Sequence, residues 1–285
     1  FVVEEYELPV ADANEWQPNV STTTHVEVLG EYGPSPIFQQ GEVPYMRTED
    51  GGDFEIENGV PVVQGEFDAR FSLTLPPNTV EMPAEGFPIV LYAHGTGGDY
   101  RSYARNGVGA MLAAQGIAVM GVDQIHHGNR WPGGGDPSLV VFNVINPRSL
   151  RDNARQSALD VVQQARLIDG LTVPTTVTGR AAPVTFDTSK IYFYGHSQGG
   201  QAALVAAERA AAYAPELRLQ GVAVAAPAAD LGVLMTDDID TMAGVTIAAY
   251  AVSAYQQAYA AHYPHHELDA ILNADDDHKN KKDGK

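Results

Sequence analysis

Residues 67–75, FDARFSLTL, alternate, so that Phe67, Ala69, Phe71, Leu73 and Leu75 share one face. A period of two is that of a half-buried strand. Pro76 and Pro77 end it, because proline donates no ladder hydrogen bond. Beyond them the alternation gives way to unbroken apolar runs. PIVLYAHG (88–95), GIAVMGVD (116–123), KIYFYG (190–195) and LQGVAVAAP (219–227) read as strands of a sheet covered on both faces. The intervening segments change to a period near 3.6. Residues 99–114 read as a helix with Tyr103, Met111 and Leu112 facing the core, although Gly107 and Gly109 weaken it. Residues 149–169 place Ala154, Ala158, Val161, Val162, Ala165 and Ile168 on one stripe. QGGQAALVAAERAAAY (198–213) is a third, alanine-rich helix. Strand alternating with helix predicts a mostly parallel sheet with helices on both faces.

Outside this rhythm the chain changes character. Residues 1–60 are rich in Gly, Pro, Glu and Asp and carry no catalytic pattern, so they are expected to wrap the core or form its edge. Residues 61–235 hold the strand–helix series. Residues 242–263 form a small-residue apolar helix, within a stretch 236–273 that would begin a helical cap. The charged segment 274–285 reads as a solvated tail and lacks the acidic spacing of a calcium loop.

Composition narrows the function. With 36 acidic and 17 basic side chains among 285 residues, the net charge is −19. That field repels phosphate backbones, which argues against nucleic acid as a partner. The absence of cysteine rules out disulfides and thiolate metal sites. No eighteen-residue apolar stretch is present, so no transmembrane span is expected. The chain starts at Phe1 rather than methionine, which reads as a processed or trimmed end.

The chemistry concentrates at GHSQG, residues 195–199, set between a buried strand and a helix. G-x-S-x-G in that context lifts a serine hydroxyl clear of the sheet on a sharp turn. Glycine is needed two positions to either side, because the bend leaves no room for a side chain. The helix that begins there points free N–H groups and a positive dipole end at the same place. Ser197 is therefore the candidate nucleophile; a glycine-rich turn without chemistry is the alternative. HGTGG (94–98) follows an earlier strand of the series. Acyl transfer creates an oxyanion that two backbone N–H groups can hold, one from the residue after the nucleophile and one from such a loop. Gln198 is the expected first donor. Thr96 is preferred as the second, with Gly95 and Gly97 as alternates. A phosphate-binding loop is the competing reading, but the lysine of a P-loop is missing.

In their order and spacing, YAHGTGG, GVDQIHHGNR and GHSQGG resemble the α/β-hydrolase superfamily. Residues 195–231 resemble secreted lipases of the lipase A type, and NPRSLRDNARQSALD (146–160) resembles bacterial extracellular, virulence-factor-like lipases. The resemblance covers residues 67–235. It implies an α/β-hydrolase fold whose helical cap begins after the strand near 219–226. It also implies a carboxylic-ester hydrolase, secreted or at the cell surface, acting on ester or lipid substrates with no cofactor and no metal.

A serine needs a histidine base and a carboxylate to orient it. In this fold they follow the serine in the order acid, then histidine. The in-chain candidates are Asp230 for the acid and His265 or His266, with His262 beside them, for the base. A helix cap for Asp230 and solvated rings for the histidines are the plainer readings. The expectation is that the chain is incomplete at its C-terminus and that base and acid lie in a missing portion or a companion polypeptide. His94 is expected to brace the oxyanion loop, and His126 and His127 to shape a loop or line a pocket. Arg148, Arg151, Asp152 and Asn153 are expected to anchor and cap a helix on the sheet. Tyr250, Tyr255 and Tyr259 either border an acyl pocket or pack in the core. An amidase, peptidase or acyltransferase of the same fold remains open, as does a non-catalytic module lacking base and acid.

Overall fold

A computed structural model of the chain describes residues 12–131, 133, 137–143, 145–214 and 216–227. The strands are β1 (Asp12–Ser21), β2 (Val26–Ile37), β3 (Gln39–Gly41), β4 (Gly51–Phe54), β5 (Ile56–Glu57), β6 (Val60–Pro61), β7 (Gly65–Leu75), β8 (Phe87–Ala93), β9 (Ala118–Val122), β10 (Phe186–His196) and β11 (Leu219–Ala225). The helices are α1 (Ser102–Arg105), α2 (Val108–Ala113), α3 (Ser138–Val141), α4 (Pro147–Ile168), α5 (Thr175–Thr178) and α6 (Gln198–Tyr213).

Among the described residues, seven strands form the central sheet in the order β1-β2-β7-β9-β8-β10-β11. β9, β8, β10 and β11 pair in parallel, whereas β1, β2 and β7 add by antiparallel pairing. From β8 the chain goes to β9 on one side and later to β10 on the other. β8 is thus a topological switch point, where a crevice opens beyond the carboxyl ends of the strands. Ala93 pairs with Gly195, so the loops that leave β8 and β10 emerge side by side. α4 and α6 cover one face of the sheet, and their side chains join the main core with Leu73, Ile89, Met120 and Phe193. On the other face Val90, Tyr92 and Val119 pack with Tyr103 of α1, and with Val108 and Leu112 of α2. A mainly parallel sheet, helices on both faces and a strand–serine–helix turn at its carboxyl edge together make the α/β-hydrolase arrangement.

Residues 12–37 supply two strands at one edge of the central sheet, the edge alternative expected for residues 1–60. Other expectations change. β7 is buried on both faces in its second half, since Ser72 and Thr74 both meet the Tyr103 hydroxyl, at 3.0 and 3.2 Å. The helix expected over 99–114 is two short ones. Gly107 takes φ 88, which ends one helical direction and starts another. Met111 is turned outward by that break and is 62% exposed. In α4, Ala158, Val161, Val162, Ala165 and Ile168 are buried as their spacing predicts, but Ala154 is exposed. Of the large residues 191–194 in β10, Ile191 and Phe193 are buried, whereas Tyr192 and Tyr194 face the α1–α2 side and are half-covered.

Candidate active site

Ser197 lies between the last residue of β10 and the first of α6, with φ 52 and ψ −118. A serine at positive φ is strained, so the surroundings must over-determine it. They do so by excluded volume. A methyl group on Gly195 would fall on the Gly199 carbonyl, and one on Gly199 would fall on the Ala93 carbonyl. The Ser197 N–H donates to Ala225 O at 2.9 Å, and Gly200 N–H donates to Ser197 O at 2.9 Å. The turn is therefore pinned to β11 on one side and to its own helix on the other.

The loop after β8 packs directly on this turn. A methyl group built on Gly95 would meet Ser197 Cβ at 3.1 Å. Thr96 Oγ1 donates to Gln198 Oε1 at 2.8 Å, bridging loop and turn through side chains. Among the described residues, the Thr96 and Gln198 amide N–H groups have no hydrogen-bond acceptor. Gly97 behaves differently, because its N–H donates to His127 Nε2 at 2.9 Å. Of the alternates for the second donor, Gly97 is thus already engaged.

Two buried histidines lace this loop to the one after β9. His94 Nε2 accepts the Gln124 N–H at 3.1 Å, so its Nδ1 carries the proton and donates to Gly95 O at 2.8 Å. His127 Nε2 accepts the Gly97 N–H, so its Nδ1–H donates to Ile125 O at 2.9 Å. The rings meet edge to face at 4.8 Å. Gln124 Nε2 also donates to His94 O. Burial, with the neighbouring His127 as a second cause, lowers the His94 pKa to about 4, which keeps it neutral near pH 7. Both nitrogens of His94 and of His127 are occupied by backbone groups in this arrangement.

The rest of the loop is anchored by charge. Asp123, at the end of β9, accepts the Tyr100 N–H at 3.0 Å and pairs with Arg70. Arg101 forms a two-pronged pair with the buried Glu27, at 2.9 Å on each oxygen. Burial pushes the Glu27 carboxyl up, but hydrogen bonds from Arg101 and Ser72 outweigh it and hold it below the usual range. Glu27 belongs to β2, so the N-terminal strands help place the loop. Nothing in the composition of residues 1–60 signalled this. Its partners are 74 and 45 residues away.

His126 lies on the far side of β9's loop, at φ 58 and fully buried. Its Nε2 meets Asn153 Oδ1 at 3.1 Å, and burial, eased by that bond, lowers its pKa to about 4. The anchoring of α4 differs in detail from the expectation. Its N-cap is Asn146, whose side chain accepts Ser149 N–H, with Pro147 at the first helical position. Asp152 pairs with Arg151 and Arg155 and accepts the Phe54 N–H at 2.8 Å. Asn153 donates to Val140 O and Val141 O. These groups tie the helix to β4 and α3 rather than to the central sheet. Arg148 is largely exposed, 3.9 Å from Asp53.

A small cleft of about 40 Å³ borders Gln198, lined by the apolar Val141, Phe142, Leu150 and Ala154 and the polar Asn153, Ser157 and Gln201. Asp230, His262, His265, His266, the tyrosines at 250, 255 and 259, the cap and the charged tail lie outside the described residues. Among the described residues no group of three His, Asp or Glu side chains is placed to hold a metal ion. Among them also, no helix is long and apolar enough to cross a membrane.

Residues 162–282 match the secretory lipase family, a stretch that includes Ser197 and is less than half of the chain. No curated protein matches the sequence. Similar solved structures include an acetyl xylan esterase from Paenibacillus sp. R4 (21% identity, 68% of this chain and 49% of that one, TM-score 0.37). Esterase B from Lactobacillus rhamnosis is another (19%, 67% and 53%, 0.42). Candida antarctica lipase A is a third (13%, 92% and 51%, 0.44). The chain spans about half the length of each. Neither these comparisons nor the structure supports a companion polypeptide carrying acid and base. The chain is an α/β-hydrolase in fold and resembles the secretory lipases over residues 162–282.

Proposed function

We propose that this protein is a secreted serine hydrolase of carboxylic esters with an apolar acyl group. The observation that carries the reading is the strained Ser197 at the head of α6, packed against the 94–98 loop. The secretory lipase match across this turn supports both the ester chemistry and export.

In the first half-reaction Ser197 Oγ attacks the ester carbonyl carbon and its proton passes to a general base. The carbonyl oxygen gathers negative charge between the Gln198 N–H and the Thr96 N–H. Among the described residues neither donor has another partner to lose, so little reorganisation would accompany the charge. Collapse of the tetrahedral intermediate breaks the bond to the alcohol oxygen, which takes the proton from the base and leaves as the alcohol, with the acyl group remaining on Ser197. Water then attacks the acyl carbon by the same route and releases the carboxylic acid. Within this chain, Asp230 with His265 or His266 are the candidates for acid and base, and all three lie outside the described residues. The apolar side chains of Val141, Phe142, Leu150 and Ala154 beside Gln198 would take the start of the acyl chain.

The test is hydrolysis of p-nitrophenyl esters from acetate to palmitate by wild type and Ser197→Ala. Turnover in the wild type should fall by about 10⁴-fold or more in the variant. Equal rates in the two proteins, or no hydrolysis at any chain length, would overturn the proposal. Turnover of anilides but not esters would move it to an amidase.

A further inference from the structure

The cleft beside Gln198 has a volume of about 40 Å³, room for about three water-sized groups. The buried Val141, Asn153 and Ser157 form its inner end, and the exposed Phe142 and Ala154 its mouth. Asn153 is held on every side. Its Nδ2 donates to Val140 O and Val141 O at 3.1 and 3.0 Å. Its Oδ1 accepts from Gln39 Nε2 and His126 Nε2 at 2.9 and 3.1 Å. Both donor and both acceptor positions of the amide are filled, so a shift of this side chain would strand buried polar groups. The same bonds fix the end of α3, which carries one wall. On the other side of Phe142, Asn143 Nδ2 donates to Tyr45 O at 2.8 Å, and its Oδ1 accepts the Ile145 and Asn146 N–H groups, each at 3.1 Å. Phe142 thus lies between two anchored residues, and the cleft cannot widen without breaking one of these sets of bonds.

We propose that this cleft is the acyl site of the hydrolase and that its fixed size restricts the enzyme to short acyl groups, acetyl to butyryl. Gln198 places it. Its side chain lines the cleft, its N–H is one of the two donors to the oxyanion, and it directly follows Ser197. The reacting carbon carries two groups that could enter, the acyl chain and the alcohol. The alcohol oxygen takes a proton as it leaves, so it turns toward the general base. Among the described residues that line the cleft none is an acid or a base, and the group that suits it is the acyl chain. Three carbons beyond the carbonyl fill the space. A fourth meets the closed end at Asn153 and Ser157 or leaves the mouth for water, and gains no burial. The proposal rests on the ester-hydrolase reading for the reaction, and on the size and anchoring of the cleft for the length limit.

The test is kcat/KM for p-nitrophenyl esters from acetate to octanoate. Each methylene up to butyrate should raise it about fourfold, roughly 15-fold in all, and longer chains should bring no further rise. A rise that continues through octanoate would overturn the proposal. Ala154→Leu adds volume at an exposed position, so the fold should tolerate it, and the butyrate-to-acetate ratio should fall from about 15 to about 1. Leu150→Ala removes wall and should move the best substrate from butyrate toward hexanoate. A second series, acetates of alcohols of rising length, separates the two ends of the ester. Its profile should be the same in Ala154→Leu as in wild type. A variant that alters the alcohol profile and leaves the acyl profile alone would assign the cleft to the alcohol and overturn the proposal. Turnover that depends on Ser197 with an acyl profile unmoved by either variant would overturn the acyl site and leave the ester-hydrolase reading standing. Turnover that persists in Ser197→Ala, or none on any ester, would overturn both.

Discussion

The two loops that meet at Ser197 are held in opposite ways. After β10 the chain is fixed by crowding: Gly195 and Gly199 have no room for a methyl group, and the strain at Ser197 is contained by backbone on both sides. After β8 the chain is fixed by donors and acceptors: His94, His127, Gln124 and Asp123 each hold a backbone group of the 94–101 loop or its neighbour. Crowding does not depend on protonation, whereas a ring nitrogen that accepts a hydrogen bond must stay bare. The nucleophile's position should therefore be insensitive to pH and intolerant of added volume. The oxyanion loop should be the one that responds to acid.

The largest expected effect is at the crowded turn. Gly199→Ala places a methyl group on the Ala93 carbonyl and 2.6 Å from His94 O, with backbone on both sides that cannot yield locally. Unfolding in urea should show a loss of about 3 to 4 kcal/mol, with activity reduced at every pH. A loss below about 1 kcal/mol would show that crowding does not hold the turn.

Acid should act on the other loop. The pKa of His94 is lowered by burial, and then by His127, to about 4, against the smaller opposing pull of Asp123 and Asp99. Between pH 6.5 and 4 the unfolded chain thus binds a proton that the folded chain refuses. Stability from this group is present at neutral pH and is lost as pH falls through that window. The full loss is about 3 kcal/mol. His94→Asn should remove that part of the slope in urea melts from pH 7 to 4, and Gly199→Ala should keep it.

Thr96→Val cuts the bridge between the two loops while preserving shape. Removing the 2.8 Å bond to Gln198 Oε1 should cost about 1 kcal/mol and slow ester turnover roughly tenfold, read by melts and initial rates. The smallest change belongs far from both loops. Met111→Ser, at an exposed position on α2, should shift stability by less than about 0.5 kcal/mol.

Much of the crowded turn was legible in the sequence, because crowding writes itself locally. Glycines at 195 and 199 around a serine, after four consecutive large residues, state the constraint within one short window. The stripe on α4 was readable for the same reason, from Ala158 to Ile168. The hydrogen-bonded loop was not readable to that depth. That His127 holds Gly97 depends on two strands lying side by side and on which ring nitrogen carries the proton, and neither leaves a periodic trace. The buried polar face of α4 shows the same gap. Asp152 and Asn153 read as helix anchors, and Gln156 and Asp160 carry no signal of burial in the sequence, yet each of the four is buried. Their partners come from Phe38, Gln39 and Phe54 in the N-terminal segment and from Arg130 in the loop after β9. Gly107 was a warning that residues 99–114 would break, but not of the φ 88 that turns Met111 outward.

The central claim is that the crowded turn presents an activated hydroxyl. The most direct measurement is the intact mass of the protein after exposure to a fluorophosphonate, for wild type and Ser197→Ala. The account predicts a single adduct on the wild type, mapped to Ser197, and none on the variant. An unmodified wild type, or an adduct that persists in Ser197→Ala, would contradict it.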